Sequence, residues 1–201
     1  MKIHWALFIP ALLLLYYPLD SWLRGQISLR DFEHVNRQRR PGAPHTWWRA
    51  PYFWIDPVRA FIGAWLLRHS WEIEPPLPGL WRHLPLLASL IVLSLSIGAQ
   101  MHTRRDDDAL FAPIGYSAGV VFALLPPQIA ILVVILAGAC LVGFRGWSAF
   151  FISGAIGAGA MGYMILRMDY WMVVTVVLLM EPSLLSLLVR RKLRLPVMRA
   201  H

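Results

Sequence analysis

The chain has 201 residues, of which 58% are hydrophobic and 15% are charged, and its formal net charge is +8. Soluble domains average about 45–50% apolar and about 25% charged residues, so both departures argue against a water-soluble domain. The basic residues flank apolar segments instead of forming one soluble face. This arrangement argues against nucleic-acid binding and favours contact with anionic lipid headgroups.

Six apolar segments, taken in chain order, predict membrane-spanning helices, because about 20 apolar residues cross the hydrocarbon layer. The first segment is marginal in length and lacks a small-residue cleavage site, so it predicts an uncleaved span. Together they predict an all-α polytopic membrane bundle that forms a single domain over residues 1–201. The predicted spans are 3–19, 84–101, 109–125, 128–144, 147–166 and 170–189.

A long loop at 20–83, rich in arginine and tryptophan, separates the first two spans. Asp56 followed by Pro57 is a favourable helix start. A helix over 57–69 would measure roughly 20 Å, too short for about 30 Å of hydrocarbon, so we predict an interfacial helix. In the alternative, 51–69 also spans and the count is seven. That alternative moves most of the loop's arginines to the cytoplasmic side and improves the charge balance.

The Lys and Arg residues of short loops predict the orientation of the spans. Six spans place both ends of the chain on one side, and the opposite short loops hold only Arg167. We therefore predict cytoplasmic termini in a bacterial inner membrane. The basic residues on the predicted cytoplasmic side are Lys2, Arg104, Arg105, Arg145, Arg190, Arg191, Lys192, Arg194 and Arg199.

Glu181, followed by Pro182, lies within the last predicted span. An ionisable residue at bilayer depth is costly, which makes it a candidate functional site. Pro182 removes the donor that would serve the carbonyl of Leu178, so a kink and a free acceptor can form there. The alternative is a protonated glutamic acid that is hydrogen-bonded within the bundle at a structural kink.

The loop at 104–108 is a second candidate site, for phosphate and a metal ion. Three carboxylates could hold Mg²⁺ and two guanidinium groups could bind a phosphate, as a lipid-processing enzyme requires. Consecutive residues share no helix face, so the carboxylates converge only if they lie in a loop. The alternative is a solvated loop in which the last Asp caps the next helix. The residues are Arg104, Arg105, Asp106, Asp107 and Asp108.

Gly115 to Gly119 match the G-x-S-x-G pattern of a hydrolase nucleophile, with Ser117 at its centre. That pattern requires a turn between a strand and a helix, whereas here it lies inside an apolar span. The later spans contain no histidine that could activate the serine. We therefore assign no catalytic residue.

Gly154, Ala158 and Gly162 repeat at a spacing of four in the fifth span. Small residues at that spacing let helix backbones approach closely, so they predict a helix-packing face. The pattern does not distinguish a contact within the bundle from one between subunits.

These observations favour a non-enzymatic membrane subunit or assembly partner, which contacts the bilayer and other membrane subunits or copies of itself. No nucleic acid, cofactor or metal ion is expected. The first alternative is a small proton- or ion-coupled transporter or channel component that uses Glu181. The second is a lipid-phosphate enzyme that uses Asp106, Asp107 and Asp108.

Overall fold

The computed structural model describes residues 2–17, 51–72, 83–102, 109–144, 146–167, 169–190 and 192–194. Within these ranges the chain forms seven α-helices and two very short two-stranded sheets. The helices are α1 (Trp5–Tyr16), α2 (Pro51–His69), α3 (Leu84–His102), α4 (Ile114–Leu124), α5 (Pro127–Phe144), α6 (Trp147–Leu166) and α7 (Tyr170–Leu188). The strands are β1 (Lys2–Ile3), β2 (Trp71–Glu72), β3 (Ala109–Phe111) and β4 (Lys192–Arg194).

Four of the seven helices in the described ranges, α3, α5, α6 and α7, are long and apolar enough to cross a membrane. They match the predicted spans 84–101, 128–144, 147–166 and 170–189, so the described residues support a membrane protein. The other two predicted spans contain the shorter apolar helices α1 and α4.

Helix α4 is short because its predicted span begins with strand β3, and the helix itself starts at Ile114 with Pro113 as its N-cap. The expectation that Asp108 caps this helix is therefore wrong. At its other end, Pro126 and Pro127 separate α4 from α5, since proline lacks the donor that would continue α4 but fits the first turn of α5.

Helix α2 begins at Pro51, six residues earlier than the predicted start, and Pro57 lies inside it. Asp56 lies inside this helix and does not cap it, and its carboxylate pairs with the guanidinium of Arg59 at 3.0 Å. Ala60, Ala64 and Leu67 of this helix are buried. Helix α2 is therefore packed against the bundle from Arg59 to Leu67.

Helices α1 and α2 are antiparallel, as contacts at both ends of α1 show. The backbone N–H of His4 donates to the carbonyl of Ser70 at 2.9 Å, and β1 pairs with β2 beside it. At the opposite end, Arg59 donates to the carbonyl of Tyr17. We call the first end of the bundle the β1–β2 end.

Helix α3 begins near the β1–β2 end, where Trp71 Nε1 donates to Ser89 Oγ at 2.9 Å. Beyond its last residue lies β3, which pairs in parallel with β4. We call this opposite end the β3–β4 end. Helix α7 runs parallel to α3, because Tyr170 lies against His83 and Leu188 leads to β4.

Helix α6 runs antiparallel to both α5 and α7. Its Gly154 lies beside Ala137 of α5 and Leu179 of α7, whereas Gly162 lies beside Met172 of α7. Successive described helices therefore alternate in direction from α1 to α7. The buried apolar residues form one core to which all seven helices contribute.

Candidate functional site

Arg59 of α2 is the most deeply buried charged side chain in the described residues, with 6% of its surface exposed. Its guanidinium pairs with Asp56 at 3.0 Å and donates to the Tyr17 carbonyl. It also lies 5.5 Å from the centre of the Tyr116 ring, within the range of a cation–π contact. One basic group thus joins α1, α2 and α4 near the β3–β4 end.

The Tyr116 hydroxyl continues this polar cluster toward α3. It lies 2.9 Å from Ser96 Oγ and 3.2 Å from the Leu15 carbonyl oxygen. Gln100 Nε2 donates to the same Leu15 carbonyl at 3.3 Å. The carboxyl end of α1 therefore receives hydrogen-bond donors from three other helices.

These donors meet a requirement of the short helix α1. The last four carbonyl groups of any α-helix have no partner within the helix. With 12 residues, α1 measures about 18 Å, less than the hydrocarbon thickness of about 30 Å. Two carbonyls at its carboxyl end, those of Leu15 and Tyr17, are satisfied by side chains inside the bundle.

Helix α4 has only 11 residues, and a side chain of the bundle also donates hydrogen bonds to carbonyls at its carboxyl end. Arg68 Nη1 donates to the carbonyls of Ala123 and Leu124 at 3.3 Å and 3.1 Å. The Arg68 guanidinium also lies 5.1 Å from the centre of the Trp171 ring. A positive charge beside the last carbonyls also opposes the negative end of the helix dipole.

Glu181 lies on α7 where that helix packs against α3. Its carboxyl group hydrogen-bonds with the Ser94 side chain. A Cβ added at Gly98 would lie 4.0 Å from Glu181 Oε1, so the glycine leaves room for the carboxyl group. The second oxygen, Oε2, is buried without a hydrogen-bond partner in the described part of the chain. Pro182, beside it, lies within α7 without ending the helix.

Buried polar atoms normally have partners, and each exception requires an explanation, such as a bound water, an ion or a proton. Three further atoms in the described ranges share this condition: Arg59 Nε, Ser117 Oγ and Ser183 Oγ. Glu181 is the one acid among the four. It is therefore the strongest candidate for proton or cation chemistry in the described helices.

The small residues of α6 lie at helix contacts within the chain. A Cβ at Gly154 would lie 3.4 Å from the Ala137 Cβ, and Ala158 is fully buried. A Cβ at Gly162 would overlap the side chain of Met172. The stripe thus allows close approach of α5 and α7 to α6.

The glycines of the G-x-S-x-G pattern have a packing role that the sequence did not reveal. A Cβ at Gly115 would lie 3.3 Å from the Pro57 ring, and one at Gly119 would overlap the Pro57 carbonyl. Ser117 between them is buried within α4. The pattern therefore lies in a helix, not in a strand-to-helix turn. Its glycines leave room for the close approach of α2.

The five residues Arg104 to Asp108 lie outside the described residues, so their predicted phosphate or metal site has no structural account. Within the described ranges, no group of three or more His, Cys, Asp or Glu side chains is placed to hold a metal ion.

Sequence reasoning missed the roles of Arg59, Arg68 and Tyr116. One signal was present: Asp56 and Arg59 are three residues apart and face one another on a helix. The partners of both arginines, however, are backbone carbonyls, and no sequence pattern marks a carbonyl.

Comparison with known proteins gives no family assignment: no family model, curated protein or solved structure matches this chain.

Proposed function

We propose that the chain is a non-enzymatic integral membrane subunit or assembly partner of a larger membrane complex in a bacterial cytoplasmic membrane. One observation supports this function above the others. The inward guanidinium groups, on Arg59 and Arg68, bind carbonyls at the ends of the two short helices. Groups engaged in this way hold helices together, and they are not free to bind a substrate.

The consequence of these bonds is a bundle with a fixed outer surface. In lipid, an unpaired backbone carbonyl costs several kcal/mol, so each arginine strongly favours one arrangement of the helices around it. A fixed apolar surface is what a membrane subunit presents to a neighbour, because helix association in lipid depends on close packing.

Helix α5 offers the surface best suited to a partner helix. It packs mainly on α6, and its outer residues Ile135 and Val142 are exposed. Beyond the local backbone of α5, no atom of the described residues lies within 4 Å of a Cβ placed at Gly138 or Gly143. Small residues with open space around them permit close approach of a second backbone. We therefore assign the partner contact to this helix.

The first test is purification from the native membrane in mild detergent, followed by mass measurement of the intact particle. The proposal expects a particle of defined stoichiometry that is larger than the monomer. Detection of the monomer alone, in detergent and in native-lipid discs, would contradict it.

Cysteine cross-linking then locates the contact. In a Cys140→Ser background, Ala139→Cys places a thiol on the exposed side of α5, whereas Ala137→Cys places it against α6. With a photoreactive benzophenone maleimide attached to each thiol, we expect cross-links in membranes from the first variant and none from the second. A partner that cross-links from neither variant would place the contact away from α5.

A second candidate function, a proton- or ion-coupled transporter component, is favoured by the unpartnered Oε2 of Glu181. A buried carboxyl group with a free oxygen can take up and release a proton or a cation. Vesicles containing the protein would then pass protons or Na⁺ under an imposed potential. Glu181→Gln would abolish this flux while expression stays unchanged, and Ser94→Ala would reduce it. Equal flux in empty vesicles and in vesicles containing the wild-type protein would rule the function out.

A further inference from the structure

Helix α2 is long enough to cross a membrane but carries charged residues. Its 19 residues correspond to about 28 Å, close to the hydrocarbon thickness of about 30 Å. The charges within it are Asp56, Arg59 and Arg68. Whether α2 lies in lipid therefore depends on where those side chains point.

Both arginines point into the bundle. Arg59 is buried between α1 and α4, and Arg68 reaches the end of α4. Asp56, which is half-exposed, pairs with Arg59 near the β3–β4 end. Charged groups that are paired inside a bundle are the ones that membrane helices tolerate.

The opposite face of α2 is apolar and exposed. Its large side chains are between 39% and 54% exposed and recur at helical spacing. They are Trp54, Val58, Phe61, Ile62 and Trp65. On the neighbouring helix, Ile9 and Leu13 of α1 are exposed as well. Apolar residues outside and arginines inside are the reverse of a soluble surface helix.

The direction of α2 gives a second, independent observation. Because the described helices alternate in direction, residues 18–50, 103–108, 145 and 189–201 connect or follow helices at the β3–β4 end. These segments contain fourteen Lys and Arg residues. The segments at the β1–β2 end contain three: Lys2, Arg82 and Arg167. Such a difference between short segments marks the cytoplasmic side of a membrane protein.

From these observations we infer that α2 crosses the membrane, so the chain passes through it seven times, with the passes of the short helices α1 and α4 including the preceding strands β1 and β3. Its Trp, Phe, Val and Ile face contacts lipid acyl chains, continuous with the outer face of α1. The β3–β4 end and the carboxyl terminus are cytoplasmic, and the amino terminus lies on the opposite side. This inference replaces the six-span arrangement with two cytoplasmic termini, and it stands whether or not the chain is a complex subunit.

The arrangement is tested by labelling both ends with a membrane-impermeant maleimide. In the full-length protein with Cys140→Ser, one variant carries Lys2→Cys and another carries Arg194→Cys. We expect Lys2→Cys to react in spheroplasts without permeabilisation and Arg194→Cys to react only after it. The Cys140→Ser protein alone is the unlabelled control. Labelling of both ends under the same condition would overturn the inference.

The lipid contact is tested separately with nitroxide spin labels in reconstituted bilayers. A label at Phe61 should collide with oxygen, which concentrates in lipid, and not with a water-soluble nickel complex. A label at the exposed Arg167 should show the opposite preference. At Phe61, accessibility to nickel would show water contact, and inaccessibility to both reagents would show a covering protein. Either result would overturn the assignment of this face to lipid.

Discussion

The two sides of the bundle are held together by different means. On one side, α1, α2 and α4 are joined by Arg59, Arg68 and Tyr116, which bind to carbonyl oxygens at helix ends or to another side chain. On the other, α5, α6 and α7 approach through small residues such as Gly154 and Gly162. The first side contains the two shortest helices of the described residues, and the second contains only long ones.

Helix length explains this difference. A helix of 18–20 residues brings its last carbonyls close to the headgroups and water, so packing alone can hold it. A helix of 11 or 12 residues is too short to reach both surfaces of such a layer, so carbonyls at its end need donors from the protein. The two inward arginines of this bundle, Arg59 and Arg68, thus complete the backbone hydrogen bonding of its short helices.

The largest effect is expected for Gly119→Ala, at the contact between α2 and α4. The new methyl group would overlap the Pro57 carbonyl, so the two helices must separate. We expect a loss of about 3 kcal/mol in the free energy of unfolding, measured by denaturation in mild detergent. Gly138→Ala, which meets nothing within 4 Å, is the matched control and should cost little. Equal stability of the two variants would show that this contact is not close.

Replacing Arg59 with Met should lower the free energy of unfolding by about 2 kcal/mol, because it removes charged hydrogen bonds to Tyr17 and Asp56. Arg167→Met, at an exposed arginine outside the helices, should leave the unfolding transition unchanged. Asp56→Asn in the Arg59→Met background should cost little more, since the partner is already gone. Additive losses in the double variant would show that the two side chains act independently.

Arg68→Gln should lower the free energy of unfolding by about 1 kcal/mol, since this half-buried side chain donates to two carbonyls at the end of α4. The loss should be local. Hydrogen exchange should rise for amides near the end of α4, and those of α6 should keep their protection. A uniform rise in both helices would contradict a capping role for Arg68.

The smallest effects are expected for two glycine replacements on α6. At Gly162 the added methyl group meets Met172, whose flexible side chain can move, so we expect a loss of less than about 1 kcal/mol in the free energy of unfolding. Gly154→Ala meets Ala137 at 3.4 Å and should be near neutral, since alanine also favours the helix. Met172→Ala should remove the penalty at Gly162. If Gly162→Ala lowers the free energy of unfolding more than Arg68→Gln does, rigid packing at α6 contributes more to stability than the capping of α4.

The sequence predicted the four long helices closely, because their apolar runs match the thickness of a bilayer. It placed the start of α2 wrongly, since Asp56 and Pro57 resemble a helix start when read locally. It singled out Glu181 but could not show that Ser94 of α3 is its neighbour. Its one sign of Arg59 was the spacing from Asp56, and it could not show the contacts with Tyr17 and Tyr116, which lie 42 or more positions away.

The sequence by itself determined the environment of this protein, because composition, apolar length and the placement of arginines depend only on local order along the chain. The tertiary structure alone decided which charges face inward and which glycines admit a neighbouring helix. It also decided that the described helices alternate in direction through α2. Those properties depend on contacts between residues far apart in the chain, and hydropathy counts a buried, paired arginine in the same way as a solvated one.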